Sequence, residues 1–233
     1  MRDREWVHEV EVIGTLNVLN ACADAGVRKV IITSTTAVYG AYYKNPALIP
    51  ETFPLSPQYA SPWVKDKIEA ESEIKKFREK KPEMIISVLR LCFVLGKKVN
   101  NFFIRSLLRP VVPVVMGYDP CLQFLHEDDA IEAFMLAIEK DYSGEINVAS
   151  ADSVPLSTVI GTGDRKPLPL PHFILYPLYE FLWGINIIDT PASSLNFMRF
   201  PFSADTSLAG RVLGFRAKYS SLESVRIFYE FHR

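Results

Sequence analysis

The stretch "RKVIITSTTAVYG", residues 28–40, decides the fold. Val30, Ile31 and Ile32 form a short β-branched run without polar alternation, the pattern of a strand buried on both faces. Upstream, Val10, Ile13, Leu16, Val18, Leu19 and Ala21 recur at helical spacing over residues 4–25, and Gly26 supplies the stop. Downstream, Pro46, Pro50, Pro54, Pro57 and Pro62 punctuate a loop over 41–62. A helix is predicted from Pro62 to Lys80, with proline in the first turn, where its missing N–H is harmless. "MIISVLRLCFVLG", residues 84–96, reads as a second buried strand ending in a glycine turn. Helix, buried strand, loop, helix, buried strand is the alternation of a parallel α/β sheet.

The pattern continues with a helix over 101–108, a strand in "VVPVVMG" (111–117) and a strand running into a helix over 122–140. The acidic first turn Glu127–Asp129 suits the positive end of that helix, and capping is the reading preferred over a metal cluster with His126. "GEINVAS" (144–150) reads as a short strand. From Val154 the pattern loosens into short helices among prolines 167, 169, 171 and 177, and the tail is helix, glycine turn, helix.

Composition bounds the rest. The 233 residues are 48% hydrophobic and 23% charged, enough to bury a full core. A net charge of -1 gives no electrostatic case for nucleic acid or an anionic membrane as the main partner. Cys22, Cys92 and Cys121 stand far apart with no CxxC, which fits a reducing cytoplasmic setting without disulfides or zinc. The apolar stretch 173–188 holds Pro177, Glu180, Gly184 and Asn186 and falls short of the roughly 20 residues a bilayer span needs. His8, His172 and His232 are isolated in the sequence.

Five segments in order resemble one family. "GTLNVLNACADAGVRKVIITST", "STTAVYG", "LRLCFVLG", "FLHEDDAIEAFMLAIE" and "DTSLAGRVLGFRAKYSSLESV" are similar to the extended short-chain dehydrogenase/reductases of the NAD-dependent epimerase/dehydratase group. The resemblance implies a partial Rossmann-type doubly wound parallel sheet, its C-terminal half, with a small α/β substrate-binding region. Residues 1–96 would be the C-terminal half of the nucleotide-binding domain. Residues 97–233 would be mainly substrate-binding, with a late strand near 145–149 returning to the sheet.

The family's chemistry needs a tyrosine acid/base, a lysine four residues later that holds the nicotinamide ribose and lowers the phenol pKa, and a Ser or Thr that orients the reacting oxygen. Carried onto this chain, the hydroxyl is Thr35 and the lysine is Lys67, with Glu71 at the family's usual offset. Registering on Lys65 would put Ser61 at the tyrosine position and lose the Glu71 match. Trp63 therefore occupies the tyrosine position, and an indole N–H donates without titrating in a useful range. Tyr39, Tyr42, Tyr43 and Tyr59 are nearby phenols read as packing aromatics. The resemblance further implies cofactor contacts from Lys67, Thr33 and Cys92, and substrate contacts from Asn101, Gln123, Phe124, Arg199 and Arg211, with NAD or NADP as cofactor.

Two departures stand out. The asparagine that the family often carries shortly before Gly14-Thr15 is absent from residues 10–13, and no GxxGxxG occurs in the chain. If residues 4–25 are the family's fourth helix, roughly 70–90 residues of the family's pattern would precede Met1. Met1 is then expected to be an internal methionine of a longer protein, against the alternative of a short protein released from catalysis. The strand at residues 29–33 would have an open apolar edge. The expected function is an NAD(P)-dependent oxidoreductase acting on a nucleotide sugar or related hydroxyl substrate, incomplete and inactive as this chain, and a homodimer is compatible with it. Two alternatives stay open: a hydroxysteroid- or isoprenoid-type dehydrogenase, suggested by apolar 173–188, and a non-catalytic binding or scaffold protein.

Overall fold

A computed structural model describes residues 4–57, 60–99, 102–188 and 190–232. The N-terminal helix expected over 4–25 is present, with a wider turn inside it. α1 (Arg4–His8) passes through a π-helical turn, Glu9–Gly14, into α2 (Thr15–Asp24). The extra residue in that turn shifts the facing of the side chains. Val12 and Leu19 are buried, while Val10, Ile13 and Val18, expected on the buried face, are exposed together with Trp6.

Three parallel strands form the main sheet in the order β1 (Lys29–Thr35), β2 (Ile85–Leu91), β7 (Gly144–Val148). Pairing runs Lys29 to Ile85 through Thr35 to Leu91, and Ser87 to Gly144 through Leu91 to Val148. Alternation along β2 divides the core. Ile86 and Val88 pack with Leu19 of α2 and with Ile74 and Phe77 of α3 (Pro62–Lys80). Leu89 and Leu91 pack on the opposite face with Ala130, Ala133 and Ala137 of α5 (Glu127–Glu139). Helices therefore cover both faces, as parallel sheets require.

The expectation of a strand buried on both faces holds for β2 but not for β1. Val30, Ile31 and Ile32 are only half-buried and Thr33 is exposed. The reason is topological: among the described residues β1 pairs with β2 alone, so its other edge is open.

Beyond the sheet lie three two-stranded pairs. β3 (Phe93–Leu95) pairs with β6 (Phe124–His126), and β5 (Cys121–Leu122) with β8 (Val154–Pro155). β4 (Val111–Val115) runs parallel to β9 (Lys166–Leu170), a strand the sequence reading did not expect. Pro167 and Pro169 alternate with Leu168 and Leu170, so a one-sided strand can lose their N–H groups without losing its ladder. α4 (Phe102–Leu107), α6 (Leu156–Thr162), α7 (His172–Gly184), a 3₁₀ segment Ala192–Met198, α8 (Ser207–Val212) and α9 (Ser221–Phe231) complete the layer. Its core is aromatic: the Phe93 and Phe103 rings stack at 4.2 Å, and Phe202 meets Phe93 edge-on at 5.5 Å.

Candidate functional site

β1 delivers its hydroxyl-rich end to the start of α3. At the strand's end, Thr35 Oγ1 accepts the Ala37 N–H at 3.2 Å, capping the 3₁₀ turn Thr36–Tyr39. Gly40 follows at φ 69°, a left-handed conformation that suits glycine, and an added Cβ would lie 3.4 Å from Ser56 Cβ. On α3, Trp63 and Lys67 are one turn apart and both meet Glu11 from the π-helical turn. Lys67 Nζ lies 2.5 Å from Glu11 Oε2, and Trp63 Nε1 donates to Glu11 Oε1 at 3.2 Å. The two charged side chains are only about one-fifth exposed, at 20% and 23%, so solvent screens the pair incompletely. One carboxylate thus holds both the indole and the ammonium. Residues 10–13 hold no asparagine, and Glu11 is the polar side chain of this turn that meets α3.

Beneath this trio lies a buried polar network. Arg90, in the apolar run of β2, donates from Nη2 and Nε to Glu71 Oε2 at 2.5 and 3.0 Å, and from Nη1 to Tyr39 Oη at 2.7 Å. Ser34 Oγ donates to Glu71 Oε1, and Tyr39 Oη donates to Asn147 Oδ1 at 2.7 Å. Asn147 in turn donates to the Ile49 and Asp205 carbonyls, tying the loop after β1 and the segment before α8 to the sheet. Burial pushes the Tyr39 phenol up to about 12, although Arg90 and the hydrogen bonds pull the other way. Burial also opposes the Arg90 charge, but Glu71 beside it overcomes that, and Arg90 stays protonated above the usual arginine range. A legible signal existed: a lone arginine inside an apolar strand needs a buried partner.

The other expected site residues are dispersed. Thr33 is exposed on the open edge strand. Cys92 is buried among Leu91, Leu125 and Val148, and burial pushes its thiol above the usual range. Gln123 was expected to line a cleft; instead its amide is fully engaged in structure, donating to the Ser150 and Ala204 carbonyls and accepting the Ala204 N–H at 2.6 Å. Phe124, expected beside it, is 0% exposed in the aromatic core. Both sit in β6 or next to it, where strand pairing turns them inward. Arg211 is exposed on α8. Arg199 is half-buried among aromatics: Nη2 donates to Tyr118 Oη at 2.9 Å, and the guanidinium lies 4.6 Å from the Tyr118 ring centre and 4.8 Å from that of Phe200. Its buried Nε has no hydrogen-bond partner among the described residues. Asn101, with Asn100 and Tyr59, lies outside the described residues.

Two histidines gain partners that spacing did not reveal. His8 Nδ1 lies 3.2 Å from Asp66 Oδ1 across α1 and α3. His126 caps α5 by accepting the Asp128 N–H, while buried Asp129 accepts the Lys218 and Tyr219 N–H groups ahead of α9.

A nicotinamide dinucleotide would find Thr35 at the carboxyl end of β1, where parallel sheets place ligands, and α3, which carries Lys67, packed against the turn that follows. The pyrophosphate end lacks its cradle in this sequence, which has no glycine-rich strand-to-helix turn of the kind that admits a diphosphate.

The model of the NAD dependent epimerase/dehydratase family matches residues 1–149. The chain belongs to that family. The uncharacterised protein Rv0501 of Mycobacterium tuberculosis is 26% identical over 217 residues, which are 93% of this chain and 58% of that protein. The chain thus spans 58% of that relative's length. Among solved structures, gox2253 superposes with a TM-score of 0.75 at 21% identity, covering 99% of this chain and 74% of that one. MoeE5, in complex with UDP-glucuronic acid and NAD, superposes at 0.71 with 23% identity, covering 95% and 70%. These likenesses show the fold: a mixed α/β architecture with parallel, Rossmann-like strands. Among the described residues no helix is long and apolar enough to cross a membrane.

Proposed function

We propose that this chain carries the nicotinamide-ribose and substrate end of an NAD(P)-dependent epimerase/dehydratase-type oxidoreductase, acting on a nucleotide sugar or related hydroxyl compound. The observation that carries the reading is the convergence of Trp63 and Lys67 on Glu11 at the start of α3, the helix that packs against the turn capped by Thr35. In this reading Lys67 holds the ribose hydroxyls, Thr35 orients the reacting oxygen, and Arg199 with Tyr118 meets the diphosphate. Trp63 stands where the acid/base would be and cannot take a proton, so this position supplies no proton shuttle. The cofactor, when bound, supplies hydride transfer; the chain's own residues hold and orient. Residues 1–96 form the nucleotide-binding part and 97–233 mainly the substrate part, with β7 belonging to the first. The three free cysteines fit a cytoplasmic protein.

A second reading, binding without turnover, is favoured by the same trio. Lys67 already has a carboxylate partner, and a closed Lys67–Glu11 pair needs no substrate to be satisfied. NADH and NADPH fluorescence titrations of the chain and of Lys67→Met separate the two. Saturable enhancement that Lys67→Met abolishes supports the oxidoreductase reading. Enhancement equal in both removes Lys67 from the cofactor site and favours binding without turnover.

A further inference from the structure

The N-terminal helix meets α3 through a second polar contact besides the Lys67–Glu11 pair. His8 closes α1, and its Nδ1 lies 3.2 Å from Asp66 Oδ1 and 3.9 Å from Glu69 Oε2. Asp66 and Glu69 are one helical turn apart on α3, so both carboxylates reach the same neighbour. One ligand atom from each of the three residues falls within 4.8 Å of the other two.

This contact leaves the Asp66 carboxylate unsatisfied. Asp66 is 6% exposed, and its buried Oδ2 has no hydrogen-bond partner among the described residues. Lys67, the next residue, gives its ammonium to Glu11, and among the described residues no lysine or arginine pairs with Asp66. A buried carboxylate needs a compensating positive charge. A protonated His8 would meet Oδ1 and leave Oδ2 bare. A metal cation between the three side chains would neutralise the carboxylate as a whole.

The ligand set selects the ion. One imidazole nitrogen and two carboxylates suit a divalent transition ion of the zinc type, whereas Ca²⁺ and Mg²⁺ prefer shells built from oxygen alone. Zinc holds such atoms at about 2.1 Å, which places the ligand atoms of a tetrahedral site about 3.4 Å apart. The His8–Asp66 separation of 3.2 Å already suits this, and the His8–Glu69 separation of 3.9 Å closes with a small turn of the exposed Glu69 side chain. We propose that His8, Asp66 and Glu69 form a zinc-type site that staples the N-terminal helix to α3. The exposed Glu69 side gives the ion its entry path and leaves the fourth position to water.

The test is titration of the untagged, chelator-stripped chain with ZnCl₂, read by calorimetry and thermal melting. One ion per chain is expected, and zinc at roughly 100 times its dissociation constant should raise the melting temperature by about 5 °C. MgCl₂ should give no such shift. His8→Gln and the surface change Glu69→Gln should each weaken binding about tenfold or more, since even losses outside the ligand shell cost that much. Cys22→Ser with Cys121→Ser should leave binding unchanged, which separates this site from capture of the ion by free thiols. No saturable zinc binding overturns the proposal and leaves His8–Asp66 a hydrogen-bonded pair. Binding that either His8→Gln or Glu69→Gln leaves intact, or that the cysteine pair abolishes, overturns it as well.

Discussion

Glu11 Oε2 and Lys67 Nζ lie 2.5 Å apart, joining the π-helical turn of the first helix to the first turns of α3. Because Glu11 also accepts from Trp63, a single carboxylate fixes the entry to α3. Both the functional reading and the docking of the N-terminal helix run through this contact.

Glu11→Gln should therefore act on stability and on ligand binding at once. Losing a charge-assisted contact that is mostly shielded from water should cost about 1–2 kcal/mol, read from urea denaturation. The same change frees Lys67, so anionic ligands should bind more tightly. Destabilisation without any gain in anion affinity would leave Glu11 a purely structural brace.

The Arg90–Glu71 pair carries a larger energetic stake. Glu71 and Arg90 are each 4% exposed, so removing one partner strands the other in the core. Arg90→Met or Glu71→Leu alone should cost about 3–5 kcal/mol, and the double substitution much less than their sum. Chemical denaturation of the three variants checks this; additive losses would show that the two groups do not act as a pair.

Alkaline stability should depend on Tyr39. Its folded pKa is raised to about 12 from an ordinary value of 10, so the unfolded chain loses the phenolic proton first as pH rises. Its contribution is whole below pH 10 and is lost as pH climbs toward about 12. Thermal melts across that range should fall more steeply for the wild type than for Tyr39→Phe. The buried phenol of Tyr229, also near 12, adds to the decline in both proteins.

Much of the architecture was legible because it rests on local rules. The continuous apolar run of β2, Pro62 at the first turn of α3 and the acid-rich start of α5 each announce their element. The Trp63–Lys67 spacing likewise survives as a real adjacency on one helix face. What spacing could not show was long-range pairing. Glu11 and Trp63 are 52 positions apart, and Tyr39 and Asn147 are 108 apart. β9 was obscured because prolines usually argue against a strand, and only its one-sided pairing with β4 makes them tolerable. Gln123 is opaque in the sequence for a related reason: a polar side chain beside a predicted cleft serves equally well to satisfy three backbone groups inside.

The measurement that bears most directly on the central claim is calorimetric titration of the chain with UDP-glucose, beside Arg199→Gln. Among the described residues Arg199 Nε, buried beside Tyr118, Tyr176 and Phe200, has no hydrogen-bond partner, and in the proposed reading the Arg199 guanidinium meets the diphosphate. The account predicts saturable one-to-one binding that Arg199→Gln weakens about tenfold or more, the loss of one charge-assisted hydrogen bond. No binding heat, or an affinity that Arg199→Gln leaves unchanged, would contradict a nucleotide-sugar site in this chain.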